Sequence, residues 1–264
     1  MPTFAILGAT GLTGQQLVHT LLQNPENKLN LYVRSRSKLT KLFPNITENK
    51  QVRIFQGSMN DIKLVSACLD STKVVFSVLA SNDSRPGMTI ARDAAATILS
   101  ALRNLKDRDS SAKLPRVVVL SSASMNPLLY ANEPWLVHLV VFNAFWHMYY
   151  DLGEAIKLYI KEIEGGNLGI DIRFVEPGAL KEGDVSGRVS LARDKVTDVV
   201  TYGDLAQAMV QTGEDEKLEL RRVGVVVDGK KLGLPPGIAL TVLDGLAWSF
   251  APWLMRSFQY LGVI

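Results

Sequence analysis

The chain has 264 residues, 21 % of them charged and 47 % hydrophobic, the balance of a globular protein with a sizeable core. Its formal net charge of +3 is small and dispersed, which argues against nucleic acid as a partner. A single cysteine, Cys68, excludes an internal disulfide and a cysteine-based metal site, and no metal is expected.

The first informative stretch is Gly8-Ala9-Thr10-Gly11-Leu12-Thr13-Gly14, set between the apolar run Phe4-Ala5-Ile6-Leu7 and Gln15-Gln16-Leu17-Val18. This reads as a strand, a tight glycine turn and a helix. A helix N-terminus offers unpaired N–H groups and about half a positive charge to an anion. Glycines let the backbone turn sharply and approach a pyrophosphate closely. The spacing and its context predict a dinucleotide site.

Short apolar runs at 29–33, 52–55, 74–79, 117–120, 170–175 and 223–227 read as further strands. Helix-like segments at 61–69, 89–105, 135–163 and 203–213 lie between them, the third as one long helix. Such alternation predicts βαβ units. The expected fold is α/β, a Rossmann-like doubly wound parallel sheet, in a single domain over 1–264. Its core would span about 3–228, followed by an apolar C-terminal extension at 232–264.

In that extension only Asp244 and Arg256 are charged, and 134–150 carries no formal charge when its histidines are neutral. Neither run reaches the roughly 18 uninterrupted apolar residues of a spanning helix. A lid over an apolar substrate pocket, or a contact between two subunits of a homodimer, is expected in preference to membrane contact. With no leader pattern at the start, a cytoplasmic location is expected.

The end of the second strand reads the adenosine ribose in dinucleotide folds: an acid there accepts from the 2′-hydroxyl of NAD, and a cation accommodates the 2′-phosphate of NADP. Here the residues are Tyr32-Val33-Arg34-Ser35-Arg36-Ser37-Lys38, three cations and no acid. The planar fork of Arg34 matches phosphate oxygens, with Arg36 or Lys38 assisting, so NADP(H) is expected. Gly57-Ser58-Met59 follows the third strand and places Ser58 and Met59 near the adenine. Leu79-Ala80-Ser81-Asn82 follows the fourth, beside the diphosphate and distal ribose.

These pieces resemble the atypical short-chain dehydrogenase/reductase superfamily, in its NAD(P)H-binding branch. They are GATGLTG at 8–14, VR at 33–34, VVFSVLAS at 74–81, VVVLSSAS at 117–124 and RFVEPGAL at 173–180. The resemblance implies that Ser121 borders the nucleotide and that Pro177 and Gly178 approach the nicotinamide. Tyr202-Gly203-Asp204-Leu205-Ala206 resembles the start of a late, aspartate-containing helix of the superfamily. The opening MPTFAILGATG, SASMNP at 122–127, WLVHLV at 135–140 and YYDLGEA at 149–155 are similar to the averufin-oxidase-like proteins of fungal aromatic polyketide pathways. That likeness implies an aromatic small-molecule substrate of the anthraquinone or xanthone type, oxidised, rearranged or ring-opened.

The superfamily's chemistry implies a Ser, a Tyr and a Lys one helical turn beyond the Tyr. Ser122 and Tyr149 match the first two. Four residues beyond Tyr149 stands Gly153, four beyond Tyr150 stands Glu154, and Lys157 lies about two turns away. Other polar candidates share this segment. His147 and Asp151 are spaced to share a helix face, so the acid is a candidate to orient the imidazole, and His138 is a weaker one. Trp135, Phe142, Phe145, Trp146, Tyr149, Trp248, Phe250 and Trp253 are expected to divide between core packing and a pocket for a flat ligand. Three functions are in view: an NADPH-dependent oxidoreductase, a non-redox isomerase or ring-opening enzyme that keeps its nucleotide, and a nucleotide-sensing regulator.

Overall fold

The structure is a computed structural model that describes residues 1–260 other than Asn82, Asn132 and Asn167. Asn82, expected beside the diphosphate, and the last four residues of the extension lie outside the described residues.

The chain runs β1 (Thr3–Leu7), α1 (Leu12–Leu22), β2 (Lys28–Val33), α2 (Arg36–Leu42), β3 (Val52–Gln56), α3 (Ile62–Leu69), β4 (Val74–Ser77) and α4 (Ile90–Arg108). After β5 (Arg116–Leu120) come a single 3-10 turn, the short α5 (Pro127–Tyr130), α6 (Trp135–Ala144) and α7 (Trp146–Gly165). β6 (Ile172–Glu176), β7 (Ala179–Lys181), β8 (Gly187–Ala192), β9 (Val199–Thr201), α8 (Tyr202–Glu214) and β10 (Arg222–Gly229) complete the sheet region. The tail forms α9 (Ile238–Phe250) and α10 (Pro252–Tyr260).

Eight strands form one sheet in the order β3-β2-β1-β4-β5-β6-β10-β8. All pair in parallel except β8, which runs antiparallel to β10. The strand order reverses between β1 and β4, where ligands bind in doubly wound folds. The expectation of a doubly wound parallel sheet therefore holds, with an antiparallel edge added. The strands β7 and β9 pair separately, also in parallel.

Both faces of the sheet are covered, which is why its strands read as continuous apolar runs. On β1 the alternation sends Phe4 and Ile6 into a cluster with Leu17 and Leu21 of α1 and Leu205 and Met209 of α8. Ala5 and Leu7 face the other way, into a cluster with Val65 of α3, Ile98 and Leu102 of α4 and Tyr159 of α7. Each of these leucines, valines and isoleucines, if fully buried, contributes roughly 1.5–3 kcal/mol relative to exposure.

The single helix expected over 135–163 is two helices. Phe145 ends α6 and begins α7 with φ −104° and ψ 21°, outside the helical range. Neither proline nor glycine marks the break. The break falls where α9 comes close: a Cβ on Gly245 of α9 would meet the Ala144 oxygen at 2.0 Å, and Phe145 borders a cavity against α9.

Candidate active site

Every parallel strand ends on the same edge, so the loops after β1, β2, β3, β4, β5 and β6 share one rim. The three glycines of the first loop have three separate jobs there. Gly8 adopts φ +103°, and a side chain on it would meet the Val78 carbonyl oxygen at 3.0 Å. Gly14 sits in α1, where an added Cβ would come within 2.1 Å of the Gly8 oxygen. That contact fixes how closely α1 approaches β1. Gly11 is exposed and N-caps α1 with no side-chain hydrogen bond to the first turn. The outward amide edge beside Leu12 and Thr13 is thus left for an anion. Gln15 Nε2 donates to the Thr10 carbonyl at 3.3 Å and steadies the turn. A cradle that two Cβ atoms would fill, ahead of an uncapped helix, fits a dinucleotide pyrophosphate.

Arg34, Arg36 and Lys38 are all exposed beyond β2, and none forms an ion pair among the described residues. Ser35 caps α2 by accepting from the Lys38 amide at 3.2 Å. Arg36 and Lys38 therefore stand in the first turn of α2, which holds no acid. Cations at the positive end of a helix dipole are unfavourable unless an anion joins them. Ser58 is exposed and Met59 half-buried after β3, where the Ser58 carbonyl accepts from the Tyr32 hydroxyl at 2.7 Å. Leu79 and Ser81 are half-buried and Ala80 exposed after β4.

On the other side of the switch point, Ser121 and Ser122 follow β5. Ser122 Oγ donates to the Tyr149 hydroxyl at 3.4 Å, so the two groups picked from sequence do meet. Burial pushes the Tyr149 phenol above its ordinary value, and hydrogen bonds from Ser122 and Ser124 pull it back. Among the described residues, no cation is among the groups acting on it. Lys157 ion-pairs with Glu154 at 2.6 Å and points into solvent, on the face of α7 that carries Tyr150. Gly153 occupies the place one turn beyond Tyr149, and a Cβ there would meet the Met125 Cε at 3.5 Å.

The other candidates are placed differently from expectation. Asp151 does not orient His147: its two carboxylate oxygens accept from the backbone N–H groups of Ala91, at 2.8 Å, and Arg92, at 3.0 Å. The carboxylate caps α4, whose own N-cap Thr89 offers no such bond. His147 Nε2 lies 3.3 Å from the Trp248 carbonyl of α9, and its amide donates to Ser84 Oγ at 3.2 Å. The imidazole thus ties α7 to the tail. His138 pairs with Glu133 at 3.3 Å and stacks on Tyr130 at 4.0 Å between centroids.

Aromatic rings surround the phenol. Phe142 lies 5.4 Å from Tyr149, 5.8 Å from Trp146 and 5.7 Å from His138, centroid to centroid. Trp248 is buried, whereas Trp135, Phe250 and Trp253 are 75 %, 71 % and 70 % exposed and face outward. The tail is held on this wall by close backbone approach, because a Cβ on Gly245 would meet the Ala144 oxygen at 2.0 Å. Ser249 Oγ donates to the Asn143 carbonyl at 2.7 Å, and Arg85 pairs with Asp244 at 2.7 Å. A cavity of about 270 Å³ opens between Ser84, Phe145, Thr241 and Asp244. Beyond α9 the chain turns by 107° into α10. Among the described residues no single helix is long and apolar enough to cross a membrane, although this bent pair together has the length and composition.

One group was missed in the sequence. Glu176, the last residue of β6, is fully buried. It accepts from Ser121 Oγ at 3.2 Å, Asn126 Nδ2 at 2.6 Å and Arg222 Nε at 3.0 Å. The signal available was an acid closing the strand Ile172-Arg173-Phe174-Val175, directly before Pro177 and Gly178. Pro177 is buried, and its carbonyl accepts from the Ala123 amide at 2.9 Å. A Cβ on Gly178 would lie 2.5 Å from the Thr197 oxygen, so the strand leaves the sheet against backbone.

The sheet order, the glycine cradle at the switch point and the serine–tyrosine pair define a short-chain dehydrogenase/reductase-type fold with a nicotinamide-nucleotide site. The model of an NAD(P)H-binding family matches residues 8–216. The chain is 36 % identical over 260 residues to the oxidoreductase aflX of Aspergillus parasiticus, covering 98 % of this chain and 96 % of that one. It is 33 % identical over 262 residues to the oxidoreductase stcQ of Emericella nidulans, covering 97 % and 94 %. Among solved structures, a short-chain dehydrogenase/reductase of Veillonella parvula in complex with NADP superposes with TM-score 0.67 at 19 % identity, over 89 % of this chain and 99 % of that one. The chain belongs to this NAD(P)H-binding family, alongside fungal oxidoreductases. It is an oxidoreductase that uses a nicotinamide cofactor on a small-molecule substrate.

Proposed function

We propose that the protein is a cytoplasmic, NADP(H)-dependent reductase of flat aromatic, polyketide-type carbonyl or quinone compounds. The observation that carries the reading is the buried Tyr149 hydroxyl, bonded to Ser122 beside the glycine cradle. Gly8, Gly11 and Gly14 let the pyrophosphate approach α1, and Thr10, Leu12 and Thr13 border it. Ser58 and Met59 flank the adenine, and Leu79, Ala80, Ser81 and Ser121 follow the diphosphate towards the nicotinamide end at Pro177 and Gly178. Arg34, with Arg36 and Lys38, holds the 2′-phosphate: none of the three has an ion-pair partner among the described residues, and Arg36 and Lys38 stand in the acid-free first turn of α2.

When bound, the nicotinamide supplies a hydride to a carbonyl or quinone carbon. The protein's own part is the proton. Ser122 donates to the Tyr149 oxygen, which leaves the phenol's hydrogen free for the substrate oxygen. As the phenolate forms, the hydroxyls of Ser122 and Ser124 stabilise it in place of the usual ammonium. Because burial holds the phenol up, Tyr149 is protonated at neutral pH and ready as a donor. It is a poor base there. Phe142, Phe145 and Trp146 form the wall against which a planar substrate stacks, and α9 closes that wall as the inner half of the extension.

The lack of a cation beside Tyr149 supports a second reading, a non-redox ring opening or isomerisation with nucleotide retained. One assay separates the two. With NADPH and phenanthrenequinone or a polyhydroxyanthraquinone, reduced-nicotinamide absorbance should fall in step with substrate loss. Turnover at constant nucleotide absorbance would establish the second reading, and nucleotide binding without any turnover would point to a regulator. Tyr149→Phe should lower kcat by about a hundredfold, the usual scale for a lost proton donor, with the Kd for NADPH unchanged.

A further inference from the structure

Glu176 and Arg222 form an ion pair in which the carboxylate is fully buried. Such pairs are poor sources of stability, because well-packed apolar side chains often do as well. Their geometry is what apolar residues cannot reproduce. Here every bond from the pair that leaves the sheet reaches one six-residue stretch. Ser121 Oγ donates to Glu176 Oε1 at one end, and Asn126 Nδ2 donates to Oε2 at the other. Between them, Arg222 Nη2 donates to the Met125 carbonyl at 3.1 Å. The Arg222 guanidinium is itself set 5.8 Å from the Phe174 ring centroid. Backbone bonds tie the same stretch to β6 and the turn after it: Ser121 N–H to the Val175 oxygen at 2.8 Å, and Ala123 N–H to Pro177. Ser122 lies inside this clamp with Ser124, and both hydroxyls act on the Tyr149 phenol, Ser122 Oγ donating to it at 3.4 Å.

We infer that Glu176 is a positioning residue for the proton-transfer pair: clamped by Arg222, it holds Ser121 and Asn126 so that Ser122 Oγ stays on the Tyr149 oxygen. The inference rests on the proposed role of Ser122 and Tyr149. Asn126 spends its other side-chain atom on Leu128 N–H at 3.1 Å, capping α5, so the clamp also fixes where the chain leaves for the aromatic wall. A glutamine at 176 keeps the shape but replaces one acceptor oxygen by an NH₂ donor. That donor must face the Asn126 amide on one side, or Arg222 and Ser121 on the other.

The test is a double-mutant cycle on the full chain with NADPH and phenanthrenequinone. Glu176→Gln should lower kcat by about tenfold or more while the KM for NADPH stays within about twofold, and the loss should vanish in a Ser122→Ala background. A loss of equal size in both backgrounds, or an unchanged kcat per folded molecule, overturns the inference. A second readout needs no turnover. The ultraviolet titration difference between each protein and its Tyr149→Phe counterpart reports the Tyr149 phenol. It should move upward in Ser122→Ala and in Glu176→Gln, and no further in the double variant. A shift in Ser122→Ala alone overturns the positioning role. Shifts in both without turnover in the unsubstituted protein would keep that role and remove the reductase reading. If Glu176→Gln does not fold, Asn126→Ala leaves the Glu176–Arg222 pair intact and is read by the same two criteria.

Discussion

The two halves of the proposed site are built on opposite plans. The nucleotide half is backbone. Its shape depends on atoms that are missing at Gly8 and Gly14, where a methyl group would strike a carbonyl oxygen. The substrate half is side chain: Phe142, Phe145, Trp146 and Tyr149 on α6, α7 and their junction, roofed by α9 through Gly245, His147 and the Arg85–Asp244 pair. The first plan holds a constant ligand. The second can change its walls without disturbing the sheet.

That contrast can be broken at either half. The largest effect is expected from Gly14→Ala, whose methyl would sit 2.1 Å from the Gly8 oxygen. It should weaken NADPH binding by about a hundredfold or more, ~2.7 kcal/mol, in a fluorescence titration. Unchanged affinity would mean that α1 does not need its close approach to β1. Next comes Arg34→Ala, expected to raise the Kd for NADPH about tenfold and to leave NADH binding unchanged. Equal affinities for the two nucleotides, unaltered by the substitution, would remove the 2′-phosphate clamp.

Alkaline pH should weaken the fold as a whole. Burial pushes Tyr32 up to about 12 and Cys68 up to about 12, and it raises Tyr149, Tyr159 and Tyr202 as well. Between their ordinary values and these raised ones the unfolded chain loses protons that the folded chain keeps. Stability from these groups is therefore level below about pH 9 and falls as the pH rises from there towards 12. Thermal melts across that range check it, and a level Tm would contradict it. The smallest effect belongs to the tail. Arg85 and Asp244 are 39 % and 42 % exposed, so Arg85→Ala should cost at most about 1 kcal/mol of stability. Because Arg85 also covers the Trp248 ring at 4.9 Å, the substitution should raise the KM for phenanthrenequinone more than that for NADPH. The reverse order would place the tail over the nucleotide instead.

The same contrast explains what the sequence made legible. Backbone geometry leaves a local trace, because only glycine fits at 8 and 14, so the cradle and the doubly wound parallel sheet could be read in advance. Side-chain geometry leaves little. His147 and Asp151 have the right spacing to pair, yet Asp151 is drawn to the free amides of α4, more than fifty residues away along the chain. Glu176 finds Arg222 across two neighbouring strands, and no local pattern announces the partner. The break at Phe145 falls where α9 packs against the chain, and no helix-breaking residue announces it. The strands β7, β8 and β9 went unread because they are short or carry polar residues on one face, as Arg188 and Ser190 do on β8.

The central claim is that a buried phenol, tempered by hydroxyls and without an ammonium, completes a reduction begun at the nicotinamide. It is tested most directly with NADPH deuterated at the transferred position of nicotinamide C4 and phenanthrenequinone as acceptor. Oxidised nucleotide and reduced quinone are expected in equal amounts, with a rate slowed by the deuterium and a loss of about a hundredfold in Tyr149→Phe. Oxidation of NADPH at the same rate in Tyr149→Phe, or turnover of a polyhydroxyanthraquinone with the deuterium still on the nucleotide, would contradict it.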